Sequence, residues 1–344
     1  MHPITYLEAI VVGFIQGVTE LFPASSLGHN VLIPALIGGS WGANLNVGAA
    51  NSPYLAFIVG LHVATAIGIG IYFWRDWVRI ITGFFTSIRD RDIRTADQKL
   101  AWMLIVATFP VGLAGLIFDH EFKRLFAKPV LAAVFLVING VILYAGERFR
   151  TRRSRQADLD IERQRAEQAT DRLRERQQVR AAEPAPVGVR VRTGSAHASG
   201  QRAARRADIE LAVQSDERIA QYDFVQAVVI GAAQILALLA GISRDGVTMV
   251  AGMFRGLSRE DAARFAFLLS APVILAAGVL KLGDLLTYGK GMYGPILVGS
   301  ILSGVAAYIS VRFLVRYFRT RTLTPFAVYC VLFGGFCIVY LQVK

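Results

Sequence analysis

Six apolar runs, at residues 54–74, 100–118, 129–147, 264–282, 292–311 and 324–342, approach the roughly 20 residues a helix needs to cross about 30 Å of hydrocarbon. They predict six transmembrane helices. Two more apolar runs, one ahead of residue 23 and one ahead of residue 241, are too short to cross, pass into a polar Ser/Gly break, and then turn apolar again. Each predicts a re-entrant helical hairpin. Residues 148–218 interrupt the pattern with 17 Arg and 11 Asp or Glu, with almost no large apolar residues through 150–180 and then an Ala/Gly/Pro/Ser/Arg stretch to about residue 206. Interleaved Glu and Arg at helical spacing predict a solvated helix extending the third span, with disorder after it. The insert reads as a tether. Its arginines would also suit anionic headgroups, although the interspersed acids oppose that use.

The two short hairpins are related to each other. Residues 9–29, AIVVGFIQGVTELFPASSLGH, and residues 227–247, AVVIGAAQILALLAGISRDGV, share seven of 21 positions at an offset of 218, among them Gln16/Gln234, Ser25/Ser243 and Gly28/Gly246. Apolar composition produces some identities by chance, but a Gln, a Ser and two Gly in one register are a repeat signal. Three spans follow each hairpin, so the second half starts on the opposite side of the membrane. The expected fold is an all-α polytopic membrane protein: a first repeat at 1–147, the insert at 148–218, and an inverted second repeat at 219–344. Irregular backbone at membrane depth is tolerated only around a cavity, so the two hairpin tips are expected to meet there and form the site.

Composition supports this class, with 54% apolar residues in 344 and a mean hydropathy of +0.46. The net charge of +12 does not point to nucleic acid. Of 37 Lys and Arg, 30 fall in segments 75–99, 148–218, 254–264 and 312–321, all on one side if the spans alternate, against six on the other. The basic side, with the insert, is expected to be cytoplasmic. No basic residue precedes the first apolar run and no small-residue cleavage site follows it, so no removable signal peptide is expected. Cys330 and Cys337 lie seven apart on one predicted helix and cannot pair in place. They are expected to face lipid or pack.

The polar centre carries the chemistry. Gln16 and Glu20 are four apart and share one helix face. An ionisable group at membrane depth is a functional candidate, paired with a cation, a metal or a proton. The break from Pro23 to His29 offers Ser25 and Ser26 as caps of the next half-helix, whose free N–H groups attract anions. His29 has the chemistry of a nucleophile or general acid. The second tip, Gly241 to Thr248, supplies Arg244, whose planar fork suits phosphate, with hydroxyls from Ser243 and Thr248 beside it. These are the parts of a phosphoryl-transfer site. The sequence has no GxxxxGK[ST], no HExxH and no Cys/His cluster with zinc spacing.

The run from Gln16 to His29 resembles the (E/Q)xxxE and PxSSxGH signatures of the bacterial undecaprenyl-diphosphate phosphatase (BacA/UppP) family, and Gly241 to Thr248 resembles its PGxSRSxxT motif. Residues 264–272 are similar to the helix that follows. The resemblance implies inverted repeats with two re-entrant hairpins and six spans. It also implies hydrolysis of undecaprenyl diphosphate in the bacterial plasma membrane, recycling the carrier for peptidoglycan synthesis, with links to cell shape and bacitracin resistance. A divalent cation, Mg2+ or Ca2+, is the implied cofactor. Carried over, Glu20 binds metal or serves as base, His29 or Ser26 attacks or protonates, and Arg244 holds the diphosphate. Gln16, Ser25, Ser243, Thr248, Gly28 and Gly246 then line the substrate. The chain departs from the motif at Ala240 and Asp245, where proline and serine are usual. An added carboxylate beside a polyanion points to altered metal use, with Asp245 as a second ligand. The expected partners are the polyprenyl diphosphate and membrane lipids, and the oligomeric state is left open, a homodimer included. A lipid-phosphate transporter or flippase shares the inverted-repeat design and remains the alternative, together with a catalytically weakened lipid-binding paralogue.

Overall fold

The computed structural model describes residues 4–47, 53–126, 128–153, 200–281, 283 and 291–343. They form two units, residues 1–147 with 214–344, and residues 148–213. Most of the expected insert, residues 154–199, lies outside the described residues. No strand occurs among the described residues. In chain order the helices are α1 (Tyr6–Thr19), α2 (Ser26–Ile37), α3 (Gly39–Asn44), α4 (Pro53–Tyr72), α5 (Trp74–Asp90) and α6 (Ala96–Phe126). Then come α7 (Pro129–Arg153), α8 (Gly200–Ile219), α9 (Phe224–Ala232), α10 (Arg244–Arg255), α11 (Arg259–Leu280), α12 (Tyr293–Thr320) and α13 (Thr324–Val343). Six of these are long and apolar enough to cross a membrane: α4, the 96–118 part of α6, α7, α11, α12 and α13. They fall on the six expected runs.

The repeat is visible in the caps. Thr5 and Asp223, 218 apart, each start a helix through a reciprocal capping box, with Glu8 and Gln226 as the returning side chains. Ser25 and Ser243 each accept from the backbone N–H three residues on, at Gly28 and Gly246. The helices that follow, α2 and α10, have the same 12-residue length and end at Gly38 and Gly256, both at positive φ. The hairpins differ in their first arm: α1 is continuous to Thr19, whereas α9 tightens into a 3-10 turn over Ala233–Leu238.

Each re-entrant helix packs on the second span of the opposite half. α1 lies against α12, where a Cβ on Gly13 would sit 2.4 Å from the carbonyl oxygen of Gly299. α9 lies against α6, where a Cβ on the equivalent Gly231 would sit 2.1 Å from the carbonyl oxygen of Ala107. Small residues permit this approach, which in a membrane is how packing and dispersion replace a missing hydrophobic drive. Gly231→Val forces these helices apart. We expect it to lower the detergent melting temperature or abolish the folded yield, a cost of about 3 kcal/mol or more. Wild-type melting behaviour would show that the approach is not needed.

The segment 75–99, expected as a loop, is largely helix α5. Trp74, Val78, Ile81, Phe85 and Ile88 are exposed along it, the pattern of a helix lying in the membrane interface. Its other face is tied inward by charges, of which Arg264 and Asp216 are buried and Asp76, Arg79 and Asp97 half-buried. Arg264 donates to Asp216 at 2.7 and 2.8 Å and to Asp76 at 2.7 Å. Arg79 donates to Asp76, Asp97 and Asp216 at 2.8, 3.1 and 2.7 Å. The arginines α11 and α5 thus share acids from α5, α6 and the last turn of α8, a network in which each charge is paired. Cys330 and Cys337 are free and fully buried, so both pack rather than face lipid.

Candidate active site

The two polar breaks touch. The N–H of Gly241 donates to Ser25 Oγ at 3.2 Å, so this hydroxyl accepts from both hairpins. A Cβ on Gly28 would lie 3.0 Å from the Cα of Gly241, which explains a glycine in the helix that faces the second tip. Ser25 has φ 63°, a backbone state that costs a non-glycine residue about 1–3 kcal/mol. The two accepted hydrogen bonds hold it there. Asn139 of α7 pins both tips at once, donating to the carbonyl of Pro23 at 2.9 Å and accepting from the N–H of Ser243 at 3.0 Å.

At this junction Glu20 is the hub. Its Oε2 accepts from Gln16 Nε2 at 2.8 Å and from Ser26 Oγ in a short hydrogen bond. Its Oε1 accepts from Arg244 Nη2 at 2.9 Å. Ser26 and Arg244 are the first residues of α2 and α10 and occupy equivalent repeat positions. The inverted halves therefore present the same helix position to one carboxylate, one as a hydroxyl and the other as a guanidinium. Gln16 is itself oriented by Asn30 Nδ2 at 2.6 Å. The Glu20 side chain is only 6% exposed, and Arg244 is 15% exposed.

Asp245 is fully buried behind Arg244. Its Oδ1 accepts from Ser270 of α11 and lies 3.5 Å from Arg244 Nε. Its Oδ2 has no hydrogen-bond partner among the described residues. Arg244 thus stands between two carboxylates, as its fork geometry allows.

The other expected residues have framework contacts. Ser243 caps α10, and Gly246 fits between Pro23 and Leu143. Thr248 Oγ1 donates to the carbonyl of its own Arg244 at 2.7 Å. The His29 Nδ1 faces the Ser25 carbonyl at 2.8 Å and its Nε2 faces Tyr329 Oη at 2.7 Å, with the ring stacked on Tyr329 and Phe333. Its imidazole is directed to α13.

A second histidine takes the place beside the carboxylate. His62 of α4 has Nε2 3.3 Å from Glu20 Oε2. The signal was present in the sequence, since His62 is the one histidine within the six long apolar runs, and a titratable group there is a candidate by default. Asn139 carried the same kind of signal. Ser270 carried none, because a serine in a span commonly bonds its own helix, as Ser270 also does to Ala266. Among the described residues no group of three or more His, Cys, Asp or Glu is placed to hold a metal. The available donors are two carboxylates with hydroxyl and amide oxygens around them.

The sequence as a whole matches known proteins over the same regions. The model of the family described as bacitracin resistance protein BacA matches residues 9–169 and 191–336, which include both hairpins and all the residues around Glu20. An undecaprenyl-diphosphatase of Mycolicibacterium paratuberculosis is 52% identical over 342 residues, covering 99% of each chain. An undecaprenyl-diphosphatase of Mycobacterium avium is equally similar over 99% of each chain. The more distant undecaprenyl-diphosphatase 2 of Burkholderia orbicola is 36% identical over 96% of this chain and 94% of its own. With that coverage, and with six spans carrying the two matching tips, the chain is a multi-pass membrane protein that belongs to the bacitracin resistance protein BacA family.

Proposed function

We propose that this protein hydrolyses undecaprenyl diphosphate to the monophosphate and phosphate, returning the lipid carrier to cell-wall synthesis. The observation that carries the reading is the convergence of Ser26 and Arg244, one from each inverted half, on Glu20. A hydroxyl bonded to a carboxylate, with a guanidinium alongside, is the arrangement of an activated nucleophile next to an anion clamp.

Ser26 is the attacking group in this proposal. Glu20 Oε2 takes the Ser26 proton as Oγ bonds to the terminal phosphorus, and the bond from that phosphorus to the bridging oxygen breaks. The lipid monophosphate leaves, and water then cleaves the phosphoserine. Arg244 turns its fork to the phosphate oxygens, where charge builds up. His29 fits the attacking role less well, because both its nitrogens are engaged by Ser25 and Tyr329.

The donors at the site suit a divalent cation. Hard oxygen ligands from one or two carboxylates, completed by substrate phosphates and water, are what Mg2+ takes in phosphoryl-transfer sites. Glu20 and Asp245 would hold it, and the buried Asp245 Oδ2 is an acceptor without a donor among the described residues. Bound there, Mg2+ or Ca2+ would neutralise phosphate charge. Asp245→Ser is expected to alter the relative activity with Mg2+ and Ca2+, and an unchanged cation profile would exclude Asp245 as a ligand. The excess of basic residues in the loops on one side supports a cytoplasmic insert at 148–218, with the spans in a bacterial plasma membrane.

The test is phosphate release from a long-chain prenyl diphosphate by the purified protein in detergent, with Mg2+, with Ca2+ and with a chelator. Release that requires the cation supports the proposal. Movement of a labelled lipid phosphate between vesicle leaflets without release would replace it with transport.

A further inference from the structure

The proposed chemistry leaves His62 without a task, although it touches the central carboxylate. It sits on α4, a span with no Asp, Glu, Lys or Arg. The Nδ1 lies 2.9 Å from the Ile58 carbonyl, one turn back on the same helix. The Ile58 carbonyl and the Glu20 carboxylate can both only accept, so each ring nitrogen is the donor in its contact, and the ring is fixed with Nε2–H toward Glu20 Oε2. The helix is itself anchored at this level. Thr65, three residues on, is fully buried and bonds Ser303 of α12 at 3.0 Å. Glu20 Oε2 is thereby held by three elements: Gln16 on α1, Ser26 on α2 and His62 on α4.

We propose that His62 is a positioning residue for the reaction, setting the plane of the Glu20 carboxylate so that Oε2 faces Ser26 and Oε1 faces Arg244. This rests on the phosphatase reading. Gln16 lies on the same helix as Glu20, one turn away, and moves with it. His62 reaches the carboxylate from a separate span, α4, so its hold on the carboxylate plane is independent of the helical turn that joins Gln16 to Glu20. The His62 side chain is 27% exposed against 6% for Glu20, so a shortened side chain leaves space that water can enter and the carboxylate can turn into.

The experiment compares His62→Ala and His62→Gln in steady-state phosphate release from prenyl diphosphate, with detergent melting temperature as the check on folding. His62→Ala is expected to lower kcat on the order of 10- to 100-fold with KM within about twofold, the usual cost of losing an orienting partner. His62→Gln, whose amide N–H can reach the same oxygen, should recover kcat to within about fivefold of wild type. In Glu20→Gln, where the carboxylate is gone, adding His62→Ala should cost little more.

Unchanged kcat in His62→Ala overturns the proposal. So does a folded His62→Gln that is as slow as His62→Ala, since the imidazole would then act on the substrate itself. A loss carried by KM alone also overturns it, in favour of ground-state binding. A wild-type protein that releases no phosphate removes the phosphatase reading and this proposal with it, and is told apart by needing no variant.

Discussion

Arg244→Ala is expected to lower phosphate release by about 1,000-fold or more and to destabilise the fold in the same step. In the structure Arg244 is the cation between Glu20 at 2.9 Å and Asp245 at 3.5 Å. Truncation removes the guanidinium that pairs both buried carboxylates, and breaking such a pair from one side typically costs about 3–5 kcal/mol. The catalytic and structural losses separate in Arg244→Lys. Lysine restores the charge but not the fork, so melting temperature should recover most of the way while release stays about 100-fold down. Measuring both quantities on both variants decides the matter. Equal recovery of stability and rate in the lysine variant would mean that only charge is needed and that bidentate grip on phosphate is not.

Glu20→Gln removes the proton acceptor while keeping shape. Gln can still hydrogen-bond Ser26, Gln16 and His62, so the tip should stay assembled and KM should change little. The rate should fall about 1,000-fold, because Ser26 Oγ loses the base that takes its proton. Ser26→Ala should match that loss, and the double variant should be no worse than either alone, as for residues acting as one unit. Additive losses would show that Ser26 and Glu20 work in separate steps. A Ser26→Ala protein with wild-type rate would transfer the attack to another group, with water held by Glu20 the first to consider.

The first hairpin shows how far the sequence reads by itself. Gln16 and Glu20 at helical spacing, a Ser-Ser break and a downstream glycine are local facts, and so are the caps that end and restart the helices. Each depends on residues within a few positions, where backbone hydrogen bonding and side-chain reach leave few alternatives. The amphipathic α5 was hidden because its charged residues dominate a hydropathy count, although its apolar positions recur at helical intervals. Membrane depth magnifies the legible part, because one buried carboxylate or arginine in an apolar chain needs a partner.

The repeat extends this from local to global. An offset of 218 that aligns Gln16, Ser25 and Gly28 with Gln234, Ser243 and Gly246, followed by an odd number of spans, leads to the expectation that the hairpins enter from opposite sides and meet at their tips, and the structure brings the two tips into contact. Glu20, Ser26 and Arg244 were legible on that basis as residues of the candidate site, and the structure brings the three together.

Which atoms meet was decided only by tertiary packing. His29, adjacent to the serines in sequence, is turned to Tyr329 across about 300 positions, whereas His62, distant in sequence from either tip, reaches Glu20. Asn139 joins the two tips and Ser270 holds Asp245 of the second, each from the middle of an apolar span. The sequence determined the class of the protein, its inverted halves and the residue types at its centre, because hydropathy, capping and repeat register are local and additive. The assignment of Ser26, Arg244 and His62 to one carboxylate belongs to the tertiary structure, because side-chain direction depends on helix rotation and on close contacts such as Gly231 on Ala107, which are set by the whole bundle at once.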